Sequence, residues 1–321
     1  MSHSNALPTA AILYADSRFT PWNENIGFST LVSYYEALQV EFDTTIIHMV
    51  EPTPEFGEFL QTFDFVFNLC YGFGHYSQAE VAQFLDLYEI NHLSSSGNSQ
   101  DSAADKLLME DLCIEQGLRT ATTFRTIKSL NDYVGKLIIK PRFGGCHRGI
   151  SILENDETNF EFISNNVLDT EMLVQPYLVG REFSVAVVPN AEGTGYQTLK
   201  PVEIVPYPQR TVFIAGSSFG TTQREMDYEI DESVLAEMTK SALQIHHILD
   251  LKYVSRIDFR IWNHMPFILD VNTMPNMHPT QSILPFLLKY SNVELKEFLN
   301  RQIKLNKRLN PELTHLQTTE F

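Results

Sequence analysis

Over its first hundred residues the chain switches repeatedly between two hydrophobic periods, and few architectures accommodate that switching. Residues 10–14 (AAILY), 44–49 (TTIIHM) and 64–69 (DFVFNL) are short apolar runs bounded by polar or turn residues, as buried strands are. Residues 28–38 and 78–89 carry helical spacing instead; in the second, Val81, Phe84, Leu85 and Tyr88 fall on one face. Strands alternating with helices predict a parallel sheet, hence an α/β class for this part of the chain.

The pattern then changes. The polar stretch 94–101 (SSSGNSQD) predicts a linker, and residues 103–116 a helix ended by Gly117. Strands are expected at 136–140, 150–153, 172–175 and 183–188, with a helix near 159–165. Further strands are expected at 202–205 and 211–214, followed by a long amphipathic helix over 232–249. Residues 253–261 and 266–271 should pair antiparallel across the Trp262-Asn263-His264 turn, so the C-terminal half reads as α+β. Residues 306–321 are polar and expected at the periphery. A length of 321 residues suits two or three domains, and limits at 1–100, 101–182 and 183–321 follow the changes of pattern.

Composition narrows the function classes. The formal net charge of −17 repels phosphate backbones, which argues against nucleic acid or an anionic membrane as partner. Three widely spaced cysteines, Cys70, Cys113 and Cys146, form no CxxC pair, which speaks against a disulfide framework or a thiolate zinc site and fits a reducing compartment. Neither a signal peptide nor a run of 18 apolar residues is found, so a cytoplasmic protein is expected. His246 and His247 point to different sides of their helix and make no metal pair.

Two segments carry chemistry. Arg256 and Asp258 lie two apart on one expected strand, and Asp270 and Asn272 on the next, so each pair shares a face. Two carboxylates and an amide oxygen suit Mg²⁺ or Mn²⁺, which commonly brings nucleotide phosphates with it. Taken alone, the pattern describes a solvated sheet face with one Arg–Asp ion pair equally well. The loop 140–149 (KPRFGGCHRG) places Gly144, Gly145 and Gly149 where backbone N–H groups can approach phosphate oxygens, with Lys140 as a point charge. Without further support such a loop is an ordinary turn.

Taken in order from Phe67 to Pro285, these segments resemble the ATP-grasp fold and, within it, the D-alanine–D-alanine ligases. The resemblance rests on Phe67-Asn68 with Tyr71-Gly72, on Asp105-Lys106 with Gly117, and on Lys140-Pro141 with its Gly-rich loop. It continues through Gly180-Arg181-Glu182, Arg256-Ile257-Asp258, Asp270-Val271-Asn272-Thr273-Met274-Pro275 and Ser282-Ile283-Leu284-Pro285. It implies a three-domain enzyme with ATP held between the central and C-terminal domains. Lys106, Lys140, Gly145 and Cys146 would then meet the ATP phosphates. Gln175, Tyr177 and Leu178 would line the adenine, and Glu182 would bind the ribose. Asp258, Asp270 and Asn272 would hold Mg²⁺. Arg256 would stabilise an oxyanion, Ser282 would take the acceptor carboxylate, and Glu24 would hold a substrate ammonium.

The implied activity is ADP-forming amide synthesis between small amino-acid-like substrates through an acylphosphate; homodimers are common in such a family. The chain also departs from the pattern. Asp270 stands for a glutamate, Cys146 for a serine, Tyr71 for a histidine and Gln175 for a glutamate. The lid's Lys-Tyr motif is not found between Val205 and Ile230, where residues 211–225 stand instead and Arg210 or Arg224 would have to substitute for its cation. Two alternatives stay open: true D-alanine–D-alanine ligase activity, or a nucleotide-binding protein of the same fold without turnover.

Overall fold

The computed structural model describes residues 7–15, 27–144, 149–166, 171–206, 222–226 and 228–311. Its N-terminal part is built on β1 (Thr9–Tyr14), α1 (Phe28–Leu38), β2 (Asp43–His48), α2 (Pro54–Leu60) and β3 (Phe65–Asn68). The three strands form a parallel sheet in the order β2-β1-β3, as alternating periods require. A two-stranded hairpin, β4 (Gly72–Phe73) with β5 (Tyr76–Ser77), leads into α3 (Gln78–Leu87), where Ser77 and Glu80 close a capping box. Ala11, Leu13 and Val66 pack on one side of the sheet with Val81 and Leu85 of α3, while Ile12, Phe65 and Phe67 pack on the other.

The expected linker is a helix. Residues 97–101 belong to α4 (Gly97–Ala104), which Ser96 caps by accepting from the Ser99 amide. Its polar composition concealed it, since Ser99 and Gln100 are buried but satisfied by the Asp250 and Ser95 carbonyls. The single helix expected at 103–116 is correspondingly two. Asp105 leaves helical geometry and caps α5 (Lys106–Glu115), accepting from the amides of Leu107 and Leu108. Gly117 follows α5 with φ 70°, the left-handed turn expected there.

The central part comprises α6 (Ile127–Asn131), β6 (Lys136–Pro141), β7 (Ser151–Glu154), α7 (Glu157–Asn166) and β8 (Met172–Pro176). Its antiparallel sheet, in the order β7-β6-β8, covers a small core of Leu130, Leu137, Ile139, Ile163 and Val174.

The C-terminal sheet contains β9 (Arg181–Pro189), β10 (Tyr196–Thr198), β11 (Val202–Pro206) and β12 (Thr222–Glu225). After α8 (Glu232–Ile248) it is completed by β13 (Ser255–Trp262) and β14 (Met265–Asn272). Among the described residues the order is β12-β11-β9-β13-β14, with β10 on β9. Asn263 and His264, both at positive φ, make the β13–β14 turn. Phe183, Val185 and Val187 of β9, with Ile257 and Phe259 of β13, face Met238, Ala242 and Ile245 of α8. The opposite face of β9 and β13 is thereby freed for polar groups.

Two further helices, α9 (Ile283–Tyr290) and α10 (Leu295–Leu309), pack Leu287, Phe298 and Ile303 into the core shared with the N-terminal sheet. Asn306 is not peripheral: it is fully buried, and its amide donates to Asn91 Oδ1 and the Tyr253 hydroxyl. The strand expected at 211–214 lies outside the described residues.

Candidate active site

Four candidate residues meet on the hairpin face opposite α8. Arg256 pairs in register with Asn272, and Asp258 with Asp270. A register shift after Asp258 puts Phe259 opposite Ile268, leaving Leu269 as the extra residue. That bulge changes the parity of β14. Ile268 faces the α8 core, yet Asp270 and Asn272 share the face of Arg256 and Asp258. Arg256 donates to both Asp258 oxygens at 3.0 and 2.9 Å, and Ser184 Oγ donates to Oδ1 at 2.6 Å. Asn272 Oδ1 accepts from the Met274 amide at 3.1 Å, fixing the loop that follows.

Two lysines approach this face from other elements. Lys106, in the first turn of α5, is buried and donates to the Gly144 carbonyl at 2.5 Å, with Asp270 Oδ1 at 4.0 Å. Lys140, at the end of β6, donates to the bulge carbonyl of Leu269 at 3.4 Å. Burial lowers the Lys140 ammonium to about 8, with Lys106 acting in the same direction and Asp270 and Glu110 opposing. Arg142 locks the two elements together through a bidentate pair with the α5 cap Asp105, at 2.7 and 2.6 Å.

Gln175 is turned into the protein rather than toward a ligand. Its amide donates to Glu110 Oε2 at 3.0 Å, the Ala121 carbonyl at 2.8 Å and Thr123 Oγ1 at 3.1 Å. Glu110, buried on α5, supplies the carboxylate of this network, so a second carboxylate at 175 would meet it at close range. Tyr177 and Leu178 follow in the turn to β9, Tyr177 half-buried and Leu178 buried. Glu182 pairs across strands with Arg260, whose Nη2 donates to Oε2 at 2.8 Å. Burial raises the Glu182 carboxyl to about 7, with Asp258 adding and the two arginines opposing.

Ser282 stands at the N-cap of α9, buried, and its hydroxyl donates to Asn276 Oδ1 at 2.8 Å. His278 Nδ1 lies 3.4 and 3.3 Å from the Thr280 and Gln281 amides, and its Nε2 reaches Ser29 Oγ on α1 at 3.3 Å. Glu24, Gly145, Cys146 and Arg210 lie outside the described residues, as does the Arg224 side chain. Cys70 and Cys113 are buried free thiols, each pushed by burial up to about 12, which suits packing rather than nucleophilic chemistry.

The face thus unites Arg256, Asp258, Asp270 and Asn272, places Glu182 beside them and brings Lys106 to Asp270 and Lys140 to the adjoining Leu269 carbonyl. Three residues outside the sequence candidates hold these elements together: Glu110, Arg142 and Arg260. Arg260 was the most legible in the sequence, since it continues the i, i+2 series of Arg256 and Asp258. Among the described residues no three His, Cys, Asp or Glu side chains are grouped to hold a metal. Two facing carboxylates with an amide oxygen on one rigid face nevertheless fit a hard divalent ion such as Mg²⁺, which takes few protein ligands.

Comparison with known proteins extends this picture. The family described as D-ala D-ala ligase C-terminus matches residues 115–304. The D-alanine–D-alanine ligase of Pediococcus pentosaceus is 26% identical over 267 residues, covering 79% of this chain and 72% of that protein. That of Petrotoga mobilis is 23% identical over 246 residues, covering 76% and 81%. The crystal structure of the Bacillus anthracis D-alanine–D-alanine ligase complexed with ATP superposes with a TM-score of 0.75 at 18% identity, covering 96% of this chain and 99% of that one. The VanG D-Ala:D-Ser ligase of Enterococcus faecalis gives 0.73 at 17% identity, covering 94% and 99%.

Proposed function

The chain belongs to the D-alanine–D-alanine ligase family, and from that premise we propose that it joins two small amino acids in an ATP-dependent, ADP-forming ligation. Its fold is ATP-grasp. The observation that carries the reading is the convergence on β14: a sheet face bearing Arg256, Asp258, Asp270 and Asn272, approached by Lys106 at Asp270 and by Lys140 at the adjoining Leu269 carbonyl. Such a set of separated cations and hard oxygens suits a metal-bound triphosphate.

A carboxylate is a poor electrophile because its leaving group would be oxide. Transfer of the γ-phosphoryl group to the donor carboxylate gives an acylphosphate; the amine of the second amino acid attacks its carbonyl, and phosphate leaves. In this scheme Lys106 and Lys140 bind phosphate oxygens and neutralise the charge of the transferring group. Asp258, Asp270 and Asn272 would hold Mg²⁺, which supplies Lewis-acid neutralisation of the phosphates when bound. Arg256 stabilises the oxyanion that develops at the attacked carbonyl. To do so it must exchange part of its grip on Asp258, which Ser184 keeps in place. The backbone of residues 176–178 lies beside the adenine and Glu182 beside the ribose. Ser282, at the start of α9, receives the acceptor carboxylate, where helix amides favour an anion.

We assign domain limits at 1–100, 101–182 and 183–321, a cytoplasmic location, and a homodimer as the assembly to test by light scattering. D-alanine, named in the relatives, heads the list of substrates to try. Asn276, which holds the Ser282 hydroxyl, is a feature of this chain that would adjust acceptor choice. Phosphate release from Mg·ATP across pairs of D- and L-amino acids, with mass spectrometry of the products, tests the reading. Release that requires one pair and yields its dehydrated conjugate supports ligation; tight nucleotide binding with no release from any pair argues for a protein without turnover.

A further inference from the structure

Resting on the nucleotide site just described, we propose that Arg260 is the positioning residue of the ribose subsite: it holds Glu182 Oε2 and the Gly180 carbonyl in one grip and thereby aims Glu182 Oε1 at the ribose hydroxyls. The guanidinium donates through Nη2 to Glu182 at 2.8 Å and through Nη1 to Gly180 at 3.0 Å. Its carbon stands 6.0 Å from the centre of the Tyr177 ring. One side chain therefore touches the adenine-side turn and the ribose-side carboxylate, two parts of the pocket that the backbone alone would leave independent.

The turn itself is pressed against the same strand. A Cβ on Gly180 would lie 1.8 Å from the Ile261 carbonyl oxygen, so the backbone there approaches as closely as glycine allows. Arg260 completes that closure from the ligand side.

A second pair nearby shows what strand adhesion alone looks like. Arg181 grips Glu203 bidentately at 2.7 Å across β9 and β11, with the arginine 42% exposed. Glu182 is as enclosed as Glu203, each 14% exposed, but the Arg260 side chain is only 12% exposed, and among the described residues it holds a single carboxylate oxygen. A buried ion pair adds little net stability, because desolvation offsets the attraction. Its shape accounts for its presence better: among the described residues Arg260 holds Glu182 Oε2, and Oε1 is left for a hydroxyl donor.

The test uses the full chain and compares ATP with 2′-deoxy- and 3′-deoxy-ATP in steady-state phosphate release, with nucleotide binding followed by calorimetry. A hydrogen bond to a charged acceptor is worth about ten-fold or more, so the unaltered protein should prefer ATP over one of the deoxy forms by that factor in kcat/KM. Arg260→Met should raise the KM for ATP about ten-fold, lower kcat far less, and bring the preference close to one. Arg260→Lys, which can pair Glu182 but cannot span to Gly180, should retain part of it. Arg260→Met with Glu182→Gln should discriminate no less than Arg260→Met alone.

If Arg260→Met keeps the full preference, or weakens ATP and both deoxy forms equally, Arg260 is only strand adhesion and the proposal is overturned. It is equally overturned if the unaltered protein binds all three nucleotides alike. Failure of the unaltered protein to bind any of them instead removes the nucleotide site itself, and this inference with it. Should Arg260→Met not fold, as judged by circular dichroism, Arg260→Lys and Arg260→Gln carry the same comparison.

Discussion

On the C-terminal sheet, Arg256 and Arg260 each grip a carboxylate within 3.0 Å, whereas among the described residues the hydrogen bonds of Lys106 and Lys140 go to the Gly144 and Leu269 carbonyls. Among the described residues Lys106 comes no nearer to a carboxylate than 4.0 Å, at Asp270. The sheet face holds its charges already paired on strands locked by a long register and by the α8 core. The lysines belong to lighter elements: β6, over a core of a few side chains, and the first turn of α5. A charge left incompletely satisfied beside a neighbouring cation is costly until an anion arrives. On the proposed reading, the tightly paired arginine side orients and the loosely paired lysine side binds.

The largest way to break this contrast is on the paired side. Arg256→Ala should cut amide formation by roughly 10²-fold or more while leaving ATP affinity nearly intact, as for loss of an oxyanion donor. Rapid-quench turnover with calorimetry of Mg·ATP separates the two effects, and unaltered turnover removes Arg256 from that role.

Lys140→Met attacks the other side and should act in two directions. ATP affinity should fall about a hundredfold, since charge-assisted hydrogen bonds are lost. The ligand-free fold should become more stable, because a buried ammonium no longer has to be accommodated. The sign follows from the lowered Lys140 value, about 8 against an ordinary 10.5. Below about 8 both folded and unfolded chains carry the proton, and the folded one bears the full cost of burial. Between about 8 and 10.5 only the unfolded chain keeps it, so this group's contribution to stability rises with pH. ATP affinity should decline over the same window, and a Lys140→Met protein should show neither trend. Thermal melts and calorimetry between pH 7 and 10 check both.

Asp270→Asn sharpens the comparison where the sides meet. It should raise the Mg²⁺ needed for half-maximal phosphate release by about ten-fold, the lower range for disturbing a metal site. A superimposable Mg²⁺ titration would count against ligation there. Gly180→Ala is read in stability rather than in binding. Its Cβ would collide with the Ile261 carbonyl, so a loss of about 1–3 kcal/mol in denaturant unfolding is expected from overpacking.

What the sequence disclosed, and what it withheld, follows the same division. The hairpin face was legible because its residues lie close in sequence and strand parity is a local property. The bulge at Leu269 was not, although it is what turns Asp270 to the correct face: the apolar run 266–269 reads the same with or without an extra residue. Gln175 looked like a plain substitution because the carboxylate it serves, Glu110, lies 65 residues away on another helix. The 94–101 segment hid α4 because buried serine and glutamine satisfied by carbonyls resemble a polar loop in one dimension. Asn306 was misplaced for the same reason. Local periodicity reveals apolar faces; polar groups buried with distant partners leave no periodic trace.

The central claim is that the donor carboxylate is activated by phosphoryl transfer between these two surfaces, and isotope transfer tests it directly. The donor amino acid, labelled with ¹⁸O in its carboxylate, would be incubated with Mg·ATP and the acceptor, and the inorganic phosphate analysed by mass spectrometry. An acylphosphate route predicts one ¹⁸O atom in each phosphate released with amide. Unlabelled phosphate, or label carried into AMP, would contradict it.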